Sequence, residues 1–510
     1  MMYSSLNSGF LDTLARVYHR QTIAIVVALI GVALINAWPG LSDEIWVDEA
    51  FTLENYANAG MWRPFVTYLN PNNHVLFSAL LAGWRQLIPD SVDAGWLRTL
   101  PLLIFLLTIP ATYFAARRLN GPLCAFIACL MFASSSVTAN HATQLRGYGP
   151  SWLPFALMLW SALNINAVSS KKWRVLYVFS SAAAVAILPS NLFLALILAT
   201  ALTAYHLVNT PHQIRDGKWG MLVLFAGPCC GLLAYVFVWG NLVTAANIDW
   251  SGWNRNRLFG QWITATLVDF IWFLPIPAAG LGIALWLART QFKLTDASGR
   301  RVAAQLLLAL LPPLGLVVFI YALPKPPFPR TFVPLLPVWY CLIGMFAGIA
   351  INALSRRWRV ATGAALVLAV ASAVHGMRQQ PCGGLSPRQE GVQHQIDLCY
   401  QFFRHDFHPS RVLATLLRLQ AQEARPIIAD YDGIRTLRIV AKGKINVMHY
   451  GEQFAPIRAR MRSPLAHTDY PIMVVYDHQQ VVDWAKLLSL DADEYRLVED
   501  TGYYKIYSRP

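Results

Sequence analysis

The chain has 510 residues, of which 56% are hydrophobic and 13% charged. Soluble globular proteins carry about 25% charged residues, so this composition excludes an ordinary soluble enzyme and predicts a polytopic membrane protein with some soluble part. The net charge of +14 does not mark a nucleic-acid binder, because residues 1–377 carry 24 Lys and Arg against 12 Asp and Glu, while residues 378–510 carry 17 against 15.

Residues 22–38 (TIAIVVALIGVALINAW) read as a first span. Arg16 and Arg20 precede it, which predicts a cytoplasmic N-terminus. No small-x-small cleavage pattern follows, so the span reads as an uncleaved anchor.

The next stretch, DEIWVDEAFTLE at residues 43–54, holds Asp43, Glu44, Asp48, Glu49 and Glu54. Five of the 12 acids in residues 1–377 therefore share one loop. Carboxylates cost about 2.5–3.5 kcal/mol each at a membrane helix centre, so a cluster beside a span points to chemistry. The bland alternative is a solvated loop with helix-capping acids. Residues 74–88 (HVLFSALLAGWRQLI) are apolar but short, which suits a helix lying in the membrane interface.

Ten more spans are predicted at 95–116, 121–139, 150–168, 175–188, 191–209, 219–240, 266–288, 302–323, 332–353 and 360–377. With the N-terminus inside, 16 Lys and Arg fall in cytoplasmic segments and eight outside: Arg63, Arg85, Arg98, Arg146, Arg255, Arg257, Lys325 and Arg330. This bias supports eleven spans with the C-terminus outside. The eight outer cations resist the orientation rule. Each reads either as a snorkelling anchor or as part of a ring that could hold a lipid phosphate.

Residues 241–261 bring Trp250, Trp253, Arg255 and Arg257 together, which fits an interfacial belt or sugar stacking beside a lipid headgroup. Asp269 reads as a structural partner for Arg255 or Arg257. Residues 378–510 change character. A helix is predicted at 410–424, and strands at 426–430, 445–449, 471–477, 495–498 and 503–508. Further helices are predicted at 433–442 and 480–490. This alternation predicts a small α/β domain with a partly parallel sheet on the outer side. Cys382 and Cys399 lie there and could form a bridge in an oxidising compartment. No metal-type Cys/His spacing, glycine-rich phosphate loop or internal repeat is present.

WVDEAF, PNNHVLFSALLAGW (71–84), LRTLPLL (97–103), QLRGYGPSWL (144–153) and PFPRTFVPLLP (327–337) occur in that order. Together they resemble the GT-C integral-membrane glycosyltransferases. Within them the layout resembles the bacterial branch related to protein O-mannosyltransferases, lipid A aminoarabinose transferases and rhizobial galacturonosyltransferases. Asp48-Glu49 match the family's Asp-Glu pair and His74 its His-Pro-Pro-Leu segment, with Val75 and Leu76 in place of the prolines. Arg98 matches the Arg opening the second span. Arg146 and Tyr148 match its Arg-x-Tyr turn. Arg330 matches its Arg-Tyr-x-x-Pro segment, with Phe332 near the Tyr position.

The resemblance implies a periplasm-facing enzyme of the bacterial inner membrane. It would be an inverting glycosyltransferase using a polyprenyl-phosphate sugar, with an envelope glycan, lipid (lipid A or lipopolysaccharide) or protein as acceptor. Such a displacement needs one base for the acceptor hydroxyl and cations for the departing phosphate. Asp48 is the expected base, and Glu49 would orient the acceptor or hold Asp48. Arg146, Lys325, Arg330 and Arg98 are the expected phosphate ligands. His74, Tyr148, Trp253, Arg255 and Arg257 are expected to contact substrate. No cofactor is required and a divalent metal stays open; His74 could hydrogen-bond phosphate or ligate a metal, or else be a capped helix start behind Asn73. Membrane lipids are expected partners and nucleic acid is not. A lipid-linked-sugar transporter or flippase would want acids within spans and repeated halves with broken helices. A non-catalytic envelope assembly protein is a third reading.

Overall fold

The structure is a computed structural model of the whole chain. It describes residues 8–42, 45, 47–69, 73–88, 94–165, 170–209, 218–246, 274–290, 297–322, 329–354, 409–422, 427–429, 447–449, 472–475, 492–500 and 505–508. These fall into two compact units. One comprises residues 1–41, 64–78 and 98–399, the other residues 42–63, 79–97 and 400–510.

The first unit is helical. Among the described residues six helices are long and apolar enough to cross a membrane: Arg20–Ser42, Gly95–Ser134, Asn191–Asn209, Leu222–Thr244, Gly299–Ala322 and Arg330–Ala353. The chain is therefore an integral membrane protein. Trp152–Ala162 and Pro275–Leu287 are shorter apolar helices. The predicted spans at 360–377 and the first part of 266–288 lie outside the described residues.

The helix Ala94–Ser134 is two antiparallel pieces joined at a break. Asn120 (φ −151°, ψ 33°) and Gly121 (φ +84°) leave the helical region, and a positive φ is easy only for glycine. Beyond the break the chain folds back. Phe105 meets Phe132 at a ring-centre distance of 5.5 Å, and the Cys129 thiol donates to the Ile109 carbonyl at 3.5 Å. Carbonyls released at a break need donors in an apolar setting. Arg301 and Gln305 both donate to Leu119 O, at 3.1 and 2.9 Å, while the Asn120 amide donates to Met345 O at 3.1 Å.

The span predicted at 121–139 is corrected here. It stops at Ser134, Ser135 is extended (φ −67°, ψ 137°), and a short helix Ser136–His141 follows. The sequence SSSVTAN supplies the cause, because its hydroxyls compete for backbone carbonyls. Ser134 donates to Leu130 O at 2.6 Å, and Thr138 donates to Phe132 O and Ser135 O at 2.6 and 2.8 Å. Asn36 of the first helix, Ser8–Ala37, donates to Ala133 O and Ser135 O across the bend at 3.1 and 3.4 Å. The span predicted at 150–168 is also shorter, Trp152–Ala162.

The second unit contains a nine-residue helix Val47–Asn55, the helix Pro409–Gln422 and a five-stranded sheet. The strands are β1 (Ile427–Ala429), β2 (Val447–His449), β3 (Ile472–Val475), β4 (Arg496–Asp500) and β5 (Lys505–Ser508), in the order β2-β1-β3-β5-β4. β1 pairs in parallel with β2 and β3, with Ile427 beside both Val447 and Ile472. β5 runs antiparallel to β3 and β4, with Met473 and Leu497 both opposite Tyr507. The sheet is thus mixed, as the alternating pattern predicts. On Pro409–Gln422, Val412 and Leu416 are buried, Thr415 donates to the Glu499 carboxylate, and Arg418 lies 3.8 Å from it. The predicted helices at 433–442 and 480–490, Cys382 and Cys399 lie outside the described residues.

Candidate functional site

Residues 141–150 (HATQLRGYGP) form a turn between two helices of the membrane unit, and every one is buried. A loop with so many polar groups survives inside an apolar unit only if they are held. Arg98, wholly buried, donates to Thr143 O at 3.0 Å. Ser151 donates to Gly147 O at 2.7 Å, and the Asn191 amide donates to the Ser151 hydroxyl and to Ala184 O at 2.9 and 2.8 Å.

Two glycines let this turn close. A Cβ on Gly147 would come within 2.9 Å of the His74 Cβ and 2.6 Å of an Ile187 methyl. One on Gly149 would come within 2.4 Å of His141 O. Either side chain would force its neighbours apart. Tyr148, between the two glycines, is thereby pressed among histidines. The rings of His74 and His141 meet it edge to face at 5.1 and 6.1 Å.

The same phenol ring carries two cations. The guanidinium carbon of Arg146 lies 5.1 Å from its centre and that of Arg330 5.9 Å. Arg146 is buried and Arg330 half-buried. Arg330 is the second residue of a 3-10 segment, Pro329–Leu335, which is fixed to the turn by Trp152. Its buried indole N–H donates to Val333 O at 2.8 Å. Arg146 and Arg330, two of the predicted phosphate ligands, are thus brought together from distant parts of the chain. Arg98 joins them indirectly, by holding the turn. His74 and Tyr148, predicted to contact substrate, belong to the same cluster. His141 belongs to it as well and carries no family motif. The only sequence signal for it is a polar SSSVTANHATQ run after an apolar span.

His74 begins the helix Val75–Gln86, and its carbonyl accepts the first helical bond, from Ser78 N at 2.7 Å. Asn73 does not cap that helix. Its amide reaches back to Pro64 O and Thr67 O, both at 2.8 Å, and so holds the preceding turn. The His74 Nδ1 instead accepts the backbone N–H of Gly147.

In the second unit, Asp48 and Glu49 occupy the first turn of Val47–Asn55, where helix dipoles favour carboxylates. Glu49 is 1% exposed and Asp48 half-buried. Thr52 donates to Asp48 O at 3.0 Å. The two acids therefore differ: Asp48 is the accessible one and Glu49 the embedded one. Asp43, Glu44, Trp253, Arg255, Arg257, Asp269 and Lys325 lie outside the described residues. Among the described residues no group of three His, Cys, Asp or Glu is placed to hold a metal ion.

No family model matches the chain, and no curated protein matches it in sequence. Solved structures do match. ArnT from Cupriavidus metallidurans in the apo state superposes with a TM-score of 0.58 at 17% identity, covering 96% of this chain and 98% of that one. The same protein bound to undecaprenyl phosphate gives a TM-score of 0.57 at 15% identity with the same coverage. An oligosaccharyltransferase from Archaeoglobus fulgidus overlaps more weakly, with a TM-score of 0.49 at 10% identity over 95% of this chain and 73% of that one. The fold of the chain is that of ArnT, a GT-C glycosyltransferase, in agreement with the resemblance carried by its motifs.

Proposed function

We propose that this protein is an inverting glycosyltransferase that moves a sugar from a polyprenyl-phosphate donor to a hydroxyl of a cell-envelope acceptor. The observation that carries the reading is the pair of guanidiniums, Arg146 and Arg330, gathered on Tyr148 in a chain with the fold of ArnT. The undecaprenyl phosphate held by that neighbour supports the donor class. The two guanidiniums come to one ring from distant parts of the chain, and guanidiniums grip phosphate oxygens by paired charge-assisted hydrogen bonds. They suit a site that receives an anion.

In the proposed displacement the acceptor oxygen forms a bond to the anomeric carbon as the bond from that carbon to the phosphate oxygen breaks. The acceptor proton passes to Asp48, and the electron pair leaves on the polyprenyl phosphate. Arg146 and Arg330 stabilise the charge that grows there. Arg98 holds the turn that carries Arg146. Glu49, the embedded acid of the pair, keeps the first turn of its helix in place. We assign eleven spans, a cytoplasmic N-terminus and a periplasmic α/β domain over residues 378–510, in a bacterial inner membrane. The positive-inside bias over the loops supports that topology.

Purified protein in lipid nanodiscs, given radiolabelled polyprenyl-phosphate sugars and envelope extract, tests the reading. Transfer of label to an extracted acceptor is the expected result. Movement of the donor across liposomes with no transfer would replace the enzyme by a flippase.

A further inference from the structure

The second unit holds a cavity that the proposed displacement does not use. Its volume is about 360 Å³, and it is lined by Ala57, Asn58, Gly60, Ala82, Arg85 and Gln86. Small-molecule sites run from about 300 to 1,000 Å³, so it has room for one small ligand. Two segments build it. Ala82, Arg85 and Gln86 share one face of the helix Val75–Gln86. Ala57 and Asn58 belong to the 3-10 turn Ala57–Ala59, which Gly60 closes at φ +97°, a conformation easy only for glycine. Ala57 and Ala82 are buried and form the floor; the exposed Asn58 and Gln86 form the rim. Met61 ties the two segments together, for a Cβ on Gly83 would stand 3.2 Å from its sulfur and its methyl.

We propose that this cavity binds a neutral sugar ring of the acceptor, a neighbour of the residue whose hydroxyl reacts at Asp48. The amides of Asn58 and Gln86 both donate and accept, which is what a ring of hydroxyls requires. Arg85 adds donors but little free charge. It stands in the last turn of its helix, where the carbonyl end takes up positive charge, and it donates to Ile88 O at 3.1 Å. The helix Val47–Asn55 also ends beside the cavity, two residues before Ala57. Two helix C-termini disfavour an anion, so hydroxyls fit better than phosphate or carboxylate. The cavity is joined to the Asp48 helix without slack. Tyr56 between them is wholly buried, its N–H donates to Thr52 O at 3.1 Å, and its ring meets Phe51 at 5.9 Å. Asp48 and Asn55 lie about 10 Å apart along the helix axis, so the ring at Asp48 and the ring in the cavity are different residues. The proposal rests on the glycosyltransferase reading, with Asp48 at the reacting hydroxyl.

Binding is tested first, on the full-length protein in nanodiscs with no donor present. The probes are the methyl glycosides of glucose, galactose and mannose, read by saturation-transfer difference NMR. Wild type is expected to contact at least one of them. The double variant Asn58→Ala/Gln86→Ala should weaken that affinity about five-fold or more, as expected for losing two hydrogen bonds between neutral groups. Both side chains are exposed, so the variant should fold, and a thermal melt checks it. Asn58→Trp, which places a bulky ring at the rim, should remove the same signal, and inorganic phosphate should not displace the glycoside. A wild-type protein that contacts none of the three glycosides overturns the proposal. So does displacement by inorganic phosphate that is lost in Arg85→Gln, which would make the cavity an anion site.

Transfer then ties the cavity to the reaction. With radiolabelled polyprenyl-phosphate sugars and graded dilutions of envelope extract, the double variant should need about five-fold or more extract for half-maximal transfer, with the maximal rate near that of wild type. If wild type transfers label and the double variant matches it in half-maximal concentration, the glycosyltransferase reading stands and the cavity is not an acceptor subsite. If wild type transfers no label from any donor, the glycosyltransferase reading fails and the proposal falls with it.

Discussion

Arg146 and Arg330 meet at one aromatic ring: their guanidinium carbons lie 5.1 and 5.9 Å from the centre of Tyr148. An aromatic face offsets part of the cost of gathering two cations, by about 0.5–2 kcal/mol for each. A bound dianion would offset far more. Arg146→Ala and Arg330→Ala are each expected to lower affinity for undecaprenyl phosphate by about 2–5 kcal/mol, the range for losing one partner of a buried charge-assisted bond. The double variant should lose less than the sum, because both contact one ligand. Titration of the three variants checks this. If each single variant binds within about five-fold of wild type, a loss near 1 kcal/mol, both arginines are headgroup anchors.

Tyr148 itself separates ring from hydroxyl. Tyr148→Phe keeps the ring against which both guanidiniums lie, so undecaprenyl phosphate affinity should stay within a few-fold of wild type. Tyr148→Ala removes the face and the edge contacts to both histidines, and should weaken binding about ten-fold or more by the aromatic–cation range. Equal losses in the two variants would move the function of this residue from its ring to its hydroxyl.

The sequence makes Arg146, Tyr148 and Arg330 legible because each sits in a short motif at an expected span end, and because outer cations oppose the orientation rule. The helices are legible for the same reason that membrane topology generally is: apolar length is a strong signal. The part played by His141 is not legible. It depends on the bend at Ser135, where hydroxyls satisfy carbonyls that a continuous span would have used, and hydropathy does not register which hydroxyl bonds which carbonyl. Gly147 is equally opaque. Its neighbour His74 is far away in the chain, and a close approach between distant segments leaves no periodic trace. Asn73 shows a third limit. An Asn before a helix reads as a cap, yet here the competing carbonyls of Pro64 and Thr67 take its amide.

Asp48 and Glu49 should fail differently. Asp48 is half-buried and stands as the proposed base, so Asp48→Asn is expected to lower transfer by about 10²–10⁴ while expression and thermal stability hold. Glu49 is 1% exposed, and Glu49→Gln disturbs a buried carboxylate, so stability should fall with activity, by about 1–3 kcal/mol. Turnover assays paired with thermal melts of the same preparations check both. Wild-type turnover in a folded Asp48→Asn protein would remove Asp48 as the base.

Trp152 offers a test of how the two arginine-bearing segments are coupled. It starts the helix after the Tyr148 turn, and its indole N–H donates to Val333 O, three residues beyond Arg330. Its ring is wedged against Phe105 and Phe132 at 5.5 and 5.2 Å. Trp152→Phe keeps much of the aromatic packing but leaves the buried Val333 carbonyl without this donor, which costs about 1–3 kcal/mol. If the bond also holds Arg330 in place, affinity for undecaprenyl phosphate should fall about ten-fold or more in a range matching that energy. Trp160→Phe is the control. Trp160 packs on Phe114 and Trp173, both at 5.2 Å, rings that belong to neither arginine segment, so it should lose stability and keep affinity. Thermal melts and lipid titrations on both variants decide the matter. Affinity losses that merely track stability in the two proteins alike would show that the Trp152 bond supports the fold and not the position of Arg330.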